Sequence, residues 1–355
     1  MIGTNTDLLV AFNKLQSKKF VDHRPKRHEY RQKHPTGIRW LRCMDSRGDP
    51  RFMFGDDLPF GIGRSYQNVG AIFKPKHWPG FQASLQEARS HLEKRGRGTL
   101  FVAADHWSKS SPHLGCKGHH NDSARAQAAT RILKRQLDEL FASESDTVRS
   151  ICVSIDTDTD AITFRGVNGE VFDIATVVYA SPPEIQDRLT AVYGEQLTER
   201  MISDLADYAV LNARHCRKVR QKKRPLAEID RSESMIFVGQ SPEALCDRGE
   251  ALVISPFDPS LSSVVKTAAE ILQDNLKKYD LRRGHNLALV AAAPYHPSEN
   301  MEINAERKNR AGHLARNLAE RGWQAINDSV RGIIDHLEPV TGVIRMDTLG
   351  FELID

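Results

Sequence analysis

One pattern constrains this chain more than any other: two passages run from a helix into a strand and read alike. SLQEARSHLEKRGRGTLFVAADHW (84–107) and VVKTAAEILQDNLKKYDLRRGHNLALVAAAPYH (264–296) each contain a helical segment, a basic glycine-containing turn and a continuous apolar run. Leading into and through the first, Phe81, Leu85, Ala88 and Leu92 are spaced four, three and four, which predicts an amphipathic helix stopped by Gly96 and Gly98. In the second, Val265, Ala268, Leu272 and Leu276 line one side of a helix that ends before Gly284. An apolar run without alternation suits a strand buried on both faces, which is the habit of parallel sheets. The pattern therefore predicts an α/β fold with a mostly parallel sheet flanked by helices, followed by a diverged second copy.

The length fits two such units. At 355 residues the chain is long for a single core, and 40% hydrophobic residues suffice for two. The expected division is 1–36, a short helix and a basic His-rich connector; 37–222, a first domain; and 223–355, the second copy. RKVRQKKRP (217–225) marks the boundary between the domains. Residues 148–180 read as a β-hairpin with Asn168-Gly169 at its turn. Asp156, Asp158 and Asp160 alternate there, but Ala161 stands where a calcium loop needs glycine, so they read as the exposed face of a strand. A net charge of +4 speaks neither for nor against nucleic acid, and the basic segments at 18–34 and 217–224 come without a recognised binding motif. No stretch is apolar enough to span a bilayer and no secretory signal is recognisable, so a cytoplasmic protein is expected.

The five cysteines, Cys43, Cys116, Cys152, Cys216 and Cys246, are odd in number and widely spaced, which is no disulfide framework. Cys43 differs from the rest in its setting. It ends a short apolar strand (IRWLRC) and opens Cys43-Met44-Asp45-Ser46-Arg47 before a turn at Gly48 and Pro50. Ligands of open α/β sheets gather at the carboxyl ends of strands. A Cys thiolate is a zinc ligand, an Asp two residues on can accept a hydrogen bond from metal-bound water, and an Arg two further can hold that carboxylate by a bidentate contact. TLFVAADH places His106 at the end of a neighbouring strand, and Cys116 follows in HLGCKGHH. Two cysteines and one histidine leave a fourth position open, the layout of a catalytic zinc site. Cys152, Cys216 and Cys246 read as buried structural residues.

These pieces resemble β-class carbonic anhydrases. Cys-x-Asp-x-Arg is followed, about sixty residues later, by a strand ending in His and then by Cys-x-Gly. GRSYQNVGAI is similar to the family's Arg-Asn-Ala-Gly-Asn segment, and SLQEARSHLEKRGRGTLFVAADH to its helix and strand leading to the metal histidine. The resemblance covers roughly residues 38–142. His113-Leu114-Gly115-Cys116 matches the family's His-x-x-Cys spacing literally, but His113 has no strand before it, so His106 is the expected ligand. The insertion before Cys116, the degenerate second copy and the SIDTDTDAI hairpin are similar to the carboxysome shell carbonic anhydrases, although a chain this short before Cys43 would be expected to lack most of that subgroup's N-terminal region.

The resemblance implies a β-carbonic-anhydrase-like sheet domain with a metal-free second copy. It implies reversible hydration of CO2 to bicarbonate and a proton, with zinc held by Cys43, His106 and Cys116 and with zinc-bound hydroxide as nucleophile. Asp45 would orient that hydroxide and Arg47 would fix Asp45; an Asp45 released from Arg47 could also close the site. Arg64 and Asn68 would shape the pocket, and His113, His119 and His120 are candidates for proton transfer. Pairing of chains into dimers or larger oligomers, carboxysome components as partners, and residence in a carboxysome or free in the cytoplasm follow from the same likeness. Hydrolysis of CS2 or COS on the same fold, and a structural zinc in a microcompartment component, are the alternative functions.

Overall fold

The computed structural model describes residues 5–77, 98–222, 233–279 and 287–354. The chain forms two compact units, Lys26–Asp230 and a second made of Met1–Pro25 with Arg231–Asp355. The helix expected at 81–94, and most of the segment joining it to the following strand, lie outside the described residues. Each unit carries a mostly parallel mixed sheet flanked by helices.

The sheet of the first unit has six strands: β1 (Gly37–Cys43), β2 (Arg64–Asn68), β3 (Thr99–Trp107), β4 (Val148–Asp156), β5 (Ala161–Arg165) and β6 (Val171–Asp173), in the order β2-β1-β3-β4-β5-β6. β2, β1, β3 and β4 are parallel to one another, and β5 and β6 fold back antiparallel. β3 sits at the centre because both its faces are apolar. Leu100, Val102 and Ala104 pack into one cluster with Ile151, Val153 and Ile155 of β4 and with Leu205 and Ala209 of a long helix described below. Phe101 and Ala103 enter the opposite cluster, with Leu133 and Leu137. The period of two along a doubly buried strand separates these sets.

Helices cover both faces. The basic stretch expected as a solvated connector is helical: α1 (Asn5–Asp22) is followed by α2 (Arg24–Lys33), and α3 (Pro50–Phe54) is a short turn capped by Asp49. α4 (Ser123–Leu140) starts at Asp122, whose carboxylate accepts from the amides of Ala124 and Arg125. α5 (Pro182–Tyr193) and α6 (Glu199–Lys222) follow the hairpin. The β5–β6 connection has Asn168-Gly169 at the turn, with Gly169 at φ +95°. The alternating aspartates are not a strand face. Asp156 ends β4, Asp158 lies in the β4–β5 turn, and Asp160 is wholly buried at φ +60°. A tight turn reverses the chain between them, so the alternation belongs to hydrogen-bonded turn geometry. Asp156 accepts from the Asp158 amide and the Thr159 hydroxyl, and Asp160 pairs with His215 at 2.8 Å.

The second unit holds β7 (Met235–Gly239), β8 (Ala251–Ile254), β9 (Leu287–Tyr295), β10 (Leu337–Arg345) and β11 (Gly350–Leu353), in the order β8-β7-β9-β10-β11. The first four are parallel and β11 is antiparallel. Strand for strand, this matches the order and direction of β2-β1-β3-β4-β5. α7 (Leu261–Tyr279) buries Val265, Ala268, Leu272 and Leu276, and α8 (Met301–Asn327) packs Ala311 and Ala315 beside Ala293, Tyr295 and Val343. α1 belongs to this unit: buried Asn13 donates to the carbonyls of Ala244 and Leu349 and accepts from the Phe351 amide.

Asn212 of α6 is the polar pin of the first unit. It is fully buried, donates to the carbonyls of Met53 and Asp160 at 2.8 Å each, and accepts from the Ile162 amide at 3.0 Å. Replacing it with Leu strands three buried backbone groups, each costing about 1–3 kcal/mol. Asn212→Leu should therefore lose at least about 2 kcal/mol of stability, read as a lower urea midpoint.

Candidate metal centre

The site begins at the carboxyl end of β1. Parallel pairing sets Leu41 opposite Ala103 on β3 and Cys43 opposite Asn68 on β2, so the ends of three adjacent strands share one edge. The chain leaves β1 in a tight turn. The Met44 amide donates to the Asn68 carbonyl at 2.7 Å, and the Asp45 carboxylate accepts from the Arg47 amide at 2.9 Å. The Arg47 side chain then folds back on Asp45: Nε lies 3.1 and 3.2 Å from the two oxygens and Nη2 lies 2.6 Å from Oδ2. Both side chains are buried. Arg47 also donates to the Leu114 carbonyl at 3.0 Å, which ties this turn to the loop carrying Cys116.

That loop is held at both ends. Asp158 accepts from the Ser108 hydroxyl at 2.8 Å and from the Ser110 amide at 2.6 Å, fixing its start against the β4–β5 turn. Beyond Cys116, backbone lies on backbone: a Cβ added to Gly118 would come within 2.8 Å of the Gly70 nitrogen and Cα. Only glycine permits that approach. His119 is buried, with Nε2 2.7 Å from the Gly70 carbonyl.

Cys43, His106 and Cys116 come together as a buried group whose ligand atoms all lie within 4.8 Å of one another. The two sulfurs are 3.6 Å apart. Both ring nitrogens of His106 are buried without a hydrogen-bond partner among the described residues. Buried polar atoms are normally satisfied, and an orphaned imidazole facing two sulfurs fits a group that holds a metal ion. Two thiolates on one tetrahedral ion at about 2.3 Å would sit roughly 3.8 Å apart, close to the observed spacing. The hydrogen bond from Cys116, with help from His106 and against burial, holds the Cys43 thiol well below its ordinary range, while the same contact and burial push Cys116 up. The first member of the pair is thus already disposed to be a thiolate.

Asp45 stands beside this group rather than in it. Its Oδ2 is 3.9 Å from His106 Nε2, and both carboxylate oxygens are engaged by Arg47. His113 is exposed and outside the group, and His120 is exposed as well. Asn68 lies at the site edge, opposite Cys43, and its side chain donates to the Ile72 carbonyl. Arg64 does not: it is paired with Arg39 in the register, four residues back toward the other end of β2, because a parallel strand carries a residue about 3.3 Å along for each step. Cys152, Cys216 and Cys246 are buried away from the group, and burial pushes Cys152 up to about 12.

The residues that hold the turn are not singled out by the sequence pattern. Arg42 and Asp49 are fully buried partners at 2.6 Å. Burial alone would raise the Asp49 carboxyl, but the Arg51 and Arg42 guanidiniums bring it down to about 2. The signal was present as alternating Arg and Asp from Arg42 to Arg51, but such runs usually lie on solvated faces. In the second sheet, β7 ends at Gly239 and β9 at Tyr295, and no comparable metal-ligating group occurs there among the described residues.

No protein-family model matches the sequence, and a search of curated proteins finds no match. Among the described residues, no helix is long and apolar enough to cross a membrane.

Asp105, next to His106 on β3, has a measurable signature. It is buried, accepts from the Ser154 hydroxyl at 2.9 Å, and burial outweighs that bond and the nearby Arg165, pushing its carboxyl up to about 6. The folded chain then holds this proton more tightly than the unfolded chain, whose Asp titrates near 3.9. Stability therefore falls as pH rises from about 4 to about 6, and the deficit is complete above that. Asp105→Asn cannot ionise. Its stability relative to the parent should rise by about 2 kcal/mol between pH 4 and pH 7, measured by urea unfolding at each pH; a flat difference would remove Asp105 as the cause.

Proposed function

We propose that the chain is a zinc enzyme of the β-carbonic anhydrase type that hydrates CO2 reversibly to bicarbonate and a proton. The observation that carries this reading is the buried Cys43–His106–Cys116 group with the Asp45–Arg47 pair at its edge. Two sulfurs and one imidazole suit zinc, and three protein ligands leave room for a reactant.

Zinc held by these residues would lower the pKa of water toward neutrality and supply hydroxide as nucleophile. The rest of the task falls to the side chains. Asp45, ionised and doubly held by Arg47, is an acceptor with one fixed orientation. It can take the hydrogen bond of the attacking water or hydroxide and so point its lone pair at carbon. Arg47, itself anchored to the Leu114 carbonyl, holds that carboxylate beside the ligand group rather than in it. An Asp45 that left Arg47 could close the site instead. Burial of the whole constellation strengthens these electrostatic contacts. His119, with Nε2 on the Gly70 carbonyl, supports the Cys116 loop better than it supports proton transfer.

The shared strand order of the two sheets supports a duplication in which the second copy carries no metal. The ligand positions of the first sheet have no counterpart at Gly239, Gln240 or Tyr295.

The purified chain should carry about one zinc and accelerate CO2 hydration in a stopped-flow indicator assay. Cys43→Ala and His106→Ala should lose both metal and rate, and His113→Ala should keep both. Asp45→Asn should keep zinc and lose activity by about 10–100-fold. Zinc binding with no CO2 hydration at any pH would sink the reading and favour CS2 or COS hydrolysis, or a zinc that serves structure.

A further inference from the structure

Arg42, the residue before Cys43, is buried and charged behind the ligand group. Arg42 is 1% exposed, among the most deeply buried large side chains of the chain. Its Nη1 donates to the carbonyls of Cys43 and of Asp45, at 3.0 Å each, and its Nη2 to Asp49 Oδ2 at 2.6 Å. Asp49 is fixed in turn, since its Oδ1 accepts from the Arg51 amide at 2.9 Å and from Arg51 Nε at 3.0 Å. The Nε–H of Arg42 has no hydrogen-bond partner among the described residues.

Stability alone is a poor reason for this arrangement. Taking a guanidinium out of water costs several kcal/mol, and an apolar side chain of similar size often fills such a space at no loss. What Arg42 does that an apolar residue cannot is grip two carbonyls that flank Met44. Those carbonyls belong to the ligand Cys43 and to Asp45. Holding both fixes the backbone between them, and with it the directions in which the thiolate and the carboxylate leave the chain. The charge matters as well. Arg42, Arg47 and Arg51 against Asp45 and Asp49 leave one positive charge over, beside a pair of cysteines that must become negative to bind a metal.

We propose that Arg42 is a positioning residue for the metal centre: it sets the geometry of Cys43 and Asp45 through their carbonyls, and its charge offsets the thiolates. This rests on Cys43, His106 and Cys116 being metal ligands, but not on CO2 being the substrate. Residues that orient ligands from behind typically change metal affinity by about 10–100-fold when replaced.

The test uses the full chain and its Arg42→Lys, Arg42→Gln and Asp49→Asn variants. Zinc affinity is measured by competition with a chromophoric chelator, the thiolate-to-metal absorption band on cobalt(II) loading, and the thermal midpoint of each unloaded chain. Arg42→Lys keeps the charge but cannot hold all three acceptors in the same geometry. It should bind zinc about 10-fold or more weakly and shift or weaken the cobalt band, while the unloaded chain still unfolds cooperatively at a midpoint lowered only by the bonds it gives up. Arg42→Gln, lacking the charge too, should lose more. Asp49→Asn leaves Arg42 in place but loosens its anchor, and should lose affinity in the same direction by less; it decides the matter if the Arg42 variants do not fold. Variants that fold and keep the parent's affinity and cobalt spectrum overturn the proposal. A parent that takes up no divalent metal overturns both this inference and the zinc reading. A parent that binds zinc without hydrating CO2 overturns only the latter, because the affinity comparison still stands.

Discussion

The parallel register of β1 against β3 is the constraint on which the rest of the site depends. Leu41 faces Ala103, so Cys43 and His106 leave the sheet at the same edge although 63 positions separate them in the chain. That register is held by side chains on both faces of β3 and by the ladder itself. A slip of one residue would turn Phe101 and Ala103 into the space of Leu100 and Val102 and would exchange the two cores. The chemistry at the edge therefore inherits its precision from packing that never touches it. The third member of the group is different. Cys116 comes from a loop, and loops need their own supports: Asp158 at one end, the Gly118–Gly70 contact at the other, and Arg47 through Leu114 in between.

Electrostatics then decides what the edge can do. Asp45 and Arg47 form a buried, multiply bonded pair, and behind it the buried pair Arg42–Asp49 is joined by the half-buried Arg51. Buried charges are costly unless each is answered, and here each carboxylate meets at least one guanidinium. The cost is sensible where rigid orientation is needed and a simple apolar turn would not supply it. Asp105 marks the opposite case. Its bonds to Ser154 and Thr130 do not outweigh burial, so it sits on the other side of the balance from Asp49 only a strand away.

Much of the α/β character was legible in the sequence. TLFVAAD and LALVAAA were readable as doubly buried strands because no polar residue interrupts them, and Val265, Ala268, Leu272 and Leu276 declared a helix by spacing. Short or polar elements were not readable. β2 is RSYQN, with a charged and two amide side chains, and only its place beside β1 makes it a strand. β8 is four residues long, and α2 is so rich in charge that it resembles a linker. The aspartates of 156–160 had the alternation of a strand, yet residues 157–160 form a turn, because the chain must reverse there for β5 to pair with β4.

What the sequence determined by itself was chemistry and period: a thiolate at one strand end, an imidazole at another, an Asp two residues from the first with an Arg two further on, and apolar runs that must be covered on both sides. It also favoured His106 over His113, because a ligand on a strand end is placed by the sheet and one in a Ser-rich loop is not. Tertiary structure alone decided which of these groups meet. The strand order, the grouping of the first 25 residues with the second unit, the burial of Arg42 and Asp49 and the remoteness of Arg64 all depend on contacts between segments far apart in the chain. Local composition sets what a segment can bury, but only the closing of the sheet fixes what it is buried against.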